Sequence, residues 1–279
     1  MDGRSHCAEL VRRDDADRYL TALFAPSDRR SDLLALYAFN AEVARSREVV
    51  SEPMLGHIRL QWWREAIAEC YDDRPRRHQV VEPLAAAIRR HGLPRGLFDR
   101  LLDARAMDLS PDPPETLAQL VAYADATSGD LTRLALFVLG ASDESEQSAG
   151  AGVGTAWALT GLMRALPHHL RQGRYVLPRD VMVRHGVAER ALREVKSSTQ
   201  IYGAVEEICG IALKKIKESR SQLADRTKRG LPAMLPATLA EAYLARFSRL
   251  GYDPFDARIA RPLPMRAWRL MGRALLGRF

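Results

Sequence analysis

LTGLMRALPHHLRQGRYVLP, residues 159–178, is the stretch from which the rest of the chain can be read. It opens as the last turns of a helix, breaks near Pro167-His168-His169, and closes in a basic turn formed by Gly173-Arg174-Tyr175 and Pro178. Outward in both directions the same grammar continues. Ala, Leu, Arg and Glu dominate, β-branched runs are almost absent, and apolar residues recur at three and four rather than at two. The pattern predicts helices throughout: Ala8–Phe24, Ser27 or Asp28 towards Val50, Pro53 to Tyr71, Gln79–His91 and Pro94 to Leu109. After the break SPDPPE come Glu115–Leu139 and Glu144–Arg171, then short pieces, Ser198–Lys228 and Pro236–Leu250. No internal repeat or low-complexity linker divides the chain. The expectation is an all-α, single-domain bundle over residues 1–279, ending in a basic amphipathic tail at 258–279.

Composition sets outer bounds on function. Apolar residues make up 47%, enough for one shared core, and 42 Lys+Arg against 35 Asp+Glu give a net charge of +7. That balance favours an anionic partner without choosing between a membrane surface, a phosphorylated ligand and nucleic acid. No zinc-finger spacing or basic-aromatic interleaving supports nucleic acid. Cys7, Cys70 and Cys209 are scattered and lack C-x-x-C spacing, which fits a reducing compartment. The N-terminus has no apolar run, so no signal peptide is expected, and no stretch reaches about 20 uninterrupted apolar residues. The expected location is cytoplasmic, peripheral on the inner membrane.

Three patterns suggest where chemistry sits. On the second helix, Tyr37, Asn40, Ala41, Ala44 and Glu48 share one face. The following helix carries adjacent Trp62 and Trp63, which either split between a core and a groove or meet at one crowded crossing. Gly129 and Ser128 interrupt one central helix, and Gly150, Gly152, Gly154 and Gly161 thin its neighbour, through close packing or beside a cavity.

In this order and spacing the pieces resemble the squalene/phytoene synthase family. The resemblance rests on Leu36-Tyr37-Ala38-Phe39, Met107-Asp108-Leu109, Tyr123 with Gly129, Leu162-Met163-Arg164, and Gly173-Arg174-Tyr175-Val176-Leu177-Pro178. It implies a helical fold around a central cavity. It also implies two opposed Asp-rich helix faces that hold Mg²⁺ for a prenyl diphosphate. Those faces fall here on Ala44, Arg45 and Glu48, and on Ala165, His168 and His169, leaving one carboxylate. Without a cluster of carboxylate oxygens there is nothing to seat several hard cations. The expectation is therefore no metal and no cofactor, with Mg²⁺ entering only if the chain is an active prenyltransferase joining two prenyl diphosphates. Val50-Ser51-Glu52, the Gln-Trp-Trp pattern and Arg164-Ala165-x-Pro167-x-His169 resemble one branch in particular. That branch includes a mitochondrial complex I assembly factor and its bacterial relatives. The resemblance implies a non-catalytic role in assembling respiratory complex I, with its subunits or assembly intermediates as partners.

Other readings stay open beside it. Glu48, His168 and His169 offer donors for zinc or iron if the helix breaks, and otherwise cap or line a cavity. Arg45, Arg164, Arg171 and Arg174, with His169, are candidates for metal-free binding of a prenyl diphosphate or lipid headgroup. Tyr37, Asn40, Tyr123 and Tyr175 complete the candidate ligand set. Asp14-Asp15 and Asp72-Asp73 read as capping or solvated pairs. In the tail, Trp268, Met271, Leu275 and Phe279 share one helical face and Arg266, Arg269 and Arg273 another. That pattern suits either an anionic membrane surface or packing on the bundle.

Overall fold

In the computed structural model, residues 3–46, 53–223 and 229–279 are described, and every regular element among them is helical. Glu48, Val50-Ser51-Glu52 and Lys228 lie outside the described residues. The first expected helix is two, α1 (Gly3–Asp14) and α2 (Ala16–Ala22). Asp15 breaks them, because its carboxylate accepts the backbone N–H of Arg18 at 3.0 Å and caps α2. Next come α3 (Ser27–Ala44), α4 (Pro53–Tyr71), α5 (Val81–His91) and α6 (Arg95–Arg105), followed by a tight turn at Ala106–Leu109.

The two long central helices are also broken. The first becomes α7 (Leu117–Ala124) and α8 (Asp130–Leu139), joined at Asp125–Gly129 by a turn wider than an α-helix. The second becomes α9 (Glu144–Arg164) and α10 (Leu166–Arg171), parted at Ala165 just before Pro167. Then follow α11 (Arg179–His185), α12 (Glu189–Arg193), α13 (Thr199–Gln222), α14 (Leu231–Met234), α15 (Pro236–Arg249), α16 (Ala257–Ala260) and α17 (Arg266–Leu275).

The core is centred on α9, which packs on α13, α8, α15, α7 and the wide turn. Small residues permit this. A Cβ at Gly154 would collide with the backbone oxygen of Ser128, one at Gly150 with Leu136, and one at Gly152 with Ser219. Close packing therefore accounts for three of the four glycines, whereas nothing lies within 4 Å of a Cβ at Gly161. The tryptophans divide: Trp63 is buried edge-on to Phe39, while Trp62 sits half-buried beneath the Arg76 guanidinium. Cys7, Cys70 and Cys209 are buried on α1, α4 and α13 and form no disulfide. Among the described residues no helix is long and apolar enough to cross a membrane.

The tail departs from its expected geometry. Leu270 packs inward and Trp268, Met271 and Leu275 face out, but Phe279 does not join them. The helix has ended, Gly277 takes a left-handed turn (φ 61°), and the Phe279 ring is folded into the bundle under Arg220.

Candidate functional site

The site begins with the turn after α10. Gly173 adopts φ 65°, which any side chain would strain, and reverses the chain so that the Arg174 N–H meets the His169 carbonyl at 2.9 Å. Arg174 is thereby aimed into the bundle, where its guanidinium pairs with Asp108 and lies 3.3 Å from the Tyr123 hydroxyl. Tyr123 donates to Asp108 Oδ1 at 2.7 Å. Arg105, at the end of α6 and three residues before Asp108, donates to Asp108 Oδ2 at 3.1 Å and to the Tyr123 hydroxyl at 3.0 Å. Its other terminal nitrogen reaches Asn40 Oδ1 at 3.3 Å.

Asp108 thus stands at the centre of a buried cluster of two guanidiniums, one carboxylate, a phenol and an amide. Burial alone would push its carboxyl up, yet Arg174 and Arg105, with the hydrogen bonds from Tyr123 and Arg105, outweigh burial and hold it below its ordinary range. Burial pushes the Tyr123 phenol up and keeps it neutral. Among the described residues the cluster carries one excess positive charge, buried and hydrogen-bonded. Beside it is a cavity of about 260 Å³ whose walls include Asp108, Tyr123, Leu162, Arg174 and Tyr175.

Of the candidate residues, the structure brings Asn40, Tyr123 and Arg174 together and sets Tyr175 in the adjoining wall. The others have separate partners. Tyr37 is buried under the Arg18 guanidinium, 5.8 Å from its ring centre, and Arg18 in turn donates to Ser128 Oγ at 2.7 Å. Arg45 pairs with Asp14 at 3.0 Å on the surface, where Asp14 is exposed as expected, and Asp15 is the cap. Arg164 lies flat on Tyr243, 3.4 Å above the ring centre, and burial holds its pKa below the ordinary range despite Tyr243 and Asp17. Arg171 is exposed. The four arginines considered for one anion site therefore do not converge on a common fork.

Arg105 and Asp108 were not among the sequence candidates, although Asp108 stood in a quoted landmark. The available signal was a carboxylate and an arginine three apart where α6 runs into the Met107-Asp108-Leu109 turn. Tyr243 and Asp17 left no such signal, since 226 residues separate them.

The positions expected to hold Mg²⁺ do not suit it. Ala44 and Ala165 have no donor, Arg45 is a cation, His168 and His169 offer imidazoles rather than hard oxygens, and the one carboxylate, Glu48, lies outside the described residues. The two histidines sit successively within α10, with ring centres 6.0 Å apart, His168 exposed and His169 half-buried. Among the described residues no three His, Cys, Asp or Glu side chains are placed to share a metal ion.

Helices stacked around α9, with a buried polar cluster and a cavity between α7, α9 and the turn after α10, define an all-α isoprenoid-synthase-type protein. The structure superposes on squalene synthase HpnC from Alicyclobacillus acidocaldarius with a TM-score of 0.80 at 21% identity, covering 91% of this chain and 95% of that one. The chain belongs to the squalene/phytoene synthase family, whose model matches residues 11–269. Its sequence is 31% identical over 254 residues to the rat NADH dehydrogenase (ubiquinone) complex I assembly factor 6, covering 91% of this chain and 76% of that protein. It is 27% identical over 268 residues to phytoene synthase of Thermus thermophilus, covering 96% and 88%.

Proposed function

We propose that this protein keeps the synthase fold but not prenyl transfer, and that it acts, without a metal or cofactor, in assembling respiratory complex I. The observation that carries the reading is the chemistry at Ala44, Arg45, Glu48, Ala165, His168 and His169, where one carboxylate stands in place of the cluster that Mg²⁺ would need. Departure of an allylic diphosphate needs concentrated positive charge on the leaving group. Losing metal-based stabilisation costs several kcal/mol of barrier, roughly a thousandfold or more in rate. Similarity to an assembly factor of complex I over 91% of this chain supplies the positive half of the proposal. The protein is then a peripheral one on the cytoplasmic face of the inner membrane, its partners complex I subunits or assembly intermediates. Deleting the gene and measuring assembled complex I on native gels tests this. Loss of assembled complex, restored by the wild-type gene, is the expected result, and normal assembly refutes it.

A second reading is favoured by the cavity beside Arg174: metal-free binding of a prenyl diphosphate or lipid without cleavage. Titration with farnesyl diphosphate in the absence of Mg²⁺ separates the two. Equal weak binding by wild type and Arg174→Ala eliminates it.

A further inference from the structure

The C-terminal helix is held to the bundle by only part of its surface. Leu270 is buried, the Phe279 ring lies 5.7 Å under the Arg220 guanidinium, and Arg220 Nε donates to the Phe279 backbone oxygen at 2.6 Å. Near the start of α17, Arg266 pairs with Asp17 of α2 at 2.7 Å. These contacts fix the helix as a formed element with a defined outer face. On that outer face Trp268 is 64% exposed and Leu275 81%, with Met271 between them and Met265 and Leu276 at the ends. At 100° per residue Trp268, Met271 and Leu275 fall within one narrow stripe, opposite Leu270. Trp268, Met271 and Leu275 form an apolar ridge that the fold leaves in water, with Met265 and Leu276 exposed at the helix ends.

Beside the ridge lies a groove of about 660 Å³ walled by Arg246, Arg249, Arg258, Arg261 and Arg269, over a floor that includes Leu250 and Leu263. Arg246 shapes the wall, donating to the backbone oxygens of Arg258 and Arg261 at 2.8 and 2.6 Å. Arg258 is paired with Asp256. Arg249, Arg261 and Arg269 form no ion pair among the described residues. Six arginines and no acidic residue follow Asp256; Arg258 and Arg266 are paired with Asp256 and Asp17, and Arg273 lies 3.8 Å from Glu241, so among the described residues Arg249, Arg261 and Arg269 supply the unpaired positive charge at the groove. Arg269 follows Trp268 directly and borders the groove, which places the cationic groove along the edge of the apolar ridge.

We propose that residues 257–279 form a membrane-docking face, with the ridge entering the interface and the arginine groove taking the phosphate of an anionic phospholipid headgroup. The charge pattern selects this occupant. A neutral apolar partner would leave the arginines unmatched, and a soluble anion would leave the ridge in water. An interfacial helix flanked by arginines matches both at once. The proposal deepens the membrane part of the assembly reading, but its test uses no complex I. Failure here leaves the deletion experiment standing, and failure there leaves this one.

The test is flotation of the full-length protein with phosphatidylcholine vesicles, with and without phosphatidylglycerol. The expected result is recovery only with the anionic vesicles, falling as salt is raised. Arg261→Ala/Arg269→Ala is expected to weaken binding roughly thirtyfold, from about fivefold for each surface cation. Trp268→Ser is expected to weaken it about tenfold with charge unchanged. Both variants alter exposed side chains, so thermal unfolding verifies that they remain folded. Brominated lipid should quench wild-type tryptophan emission, and Trp268→Phe should abolish the quenching although Trp62, Trp63 and Trp157 remain. Equal recovery with both vesicle types, no recovery with either, or unchanged binding by the double variant overturns the proposal. So does displacement by inorganic phosphate beyond that caused by sodium chloride of equal ionic strength, which would mark the groove as a free-phosphate site.

Discussion

Replacing Asp108 by Asn tests the buried cluster by removing one charge with almost no change of shape. Asp108 accepts from Arg105, Arg174 and Tyr123, and its side chain is 8% exposed against 15% and 16% for the two arginines. Solvent reaching the adjoining cavity therefore replaces the lost counter-charge only in part, and two largely buried guanidiniums are left without it. Breaking one side of such a buried pair costs about 3–5 kcal/mol. Unfolding entropy of about 2.1 cal/mol/K per residue gives roughly 0.6 kcal/mol/K for the whole chain, so Tm should fall by about 5–9 °C. Circular dichroism or calorimetry reads this directly. Arg174→Met alone should also destabilise, and the double variant should be more stable than the sum of the single losses requires. The released guanidiniums should also give Asp108→Asn an affinity for pyrophosphate, by titration calorimetry, that exceeds wild type. A Tm within about 1 °C of wild type would refute the claim that Asp108 neutralises these arginines.

Further outcomes follow from the same contacts. Because the Asp108 carboxyl is held below its ordinary value in the folded state, its contribution is fully present above the unfolded carboxylate range and lost as pH falls through the folded value. Wild-type stability should therefore drop more steeply than that of Asp108→Asn below about pH 4, in chemical denaturation across pH. Gly154→Val places a side chain against the Ser128 backbone oxygen, which no rotamer relieves, and should cost about 1–3 kcal/mol or more. Gly161→Ala meets no atom within 4 Å and should be neutral or stabilising by up to about 1 kcal/mol; the two Tm values side by side check both. Ser198→Ala removes the side-chain cap of α13, where Ser198 Oγ accepts the Ile201 N–H at 3.4 Å, and should cost about 1 kcal/mol.

Helix content and most boundaries were legible because spacing, Pro and Gly carry them locally. The cap at Ser198, the packing at Gly150 and the turn at Gly173 all follow from residue type. Breaks inside long patterns were harder. The separation of α1 from α2 depends on Asp15 choosing a cap over helix interior, and the wide turn at Asp125–Gly129 on Gly154 approaching Ser128 from another helix. Asn40, Tyr123 and Arg174 were named from sequence, and they do meet. Their hub, Asp108, was missed because one carboxylate in a Met-Asp-Leu run says nothing of two arginines that fold towards it from positions 105 and 174. Arg45 and Arg164 were grouped with Arg174 as one anion site, yet Asp14 and Tyr243 claim them through contacts that spacing does not encode. The Phe279 ring was placed on the wrong face because periodicity continues past Gly277, where the helix does not.

A synthase fold left with one carboxylate, Glu48, in place of two cation-binding clusters should no longer ionise allylic diphosphates. The measurement closest to this loss is pyrophosphate release by the purified protein from farnesyl or geranylgeranyl diphosphate with Mg²⁺ present. Release indistinguishable from a protein-free blank is the expected result. Turnover above the blank, accompanied by a hydrocarbon made from two prenyl chains, would contradict it.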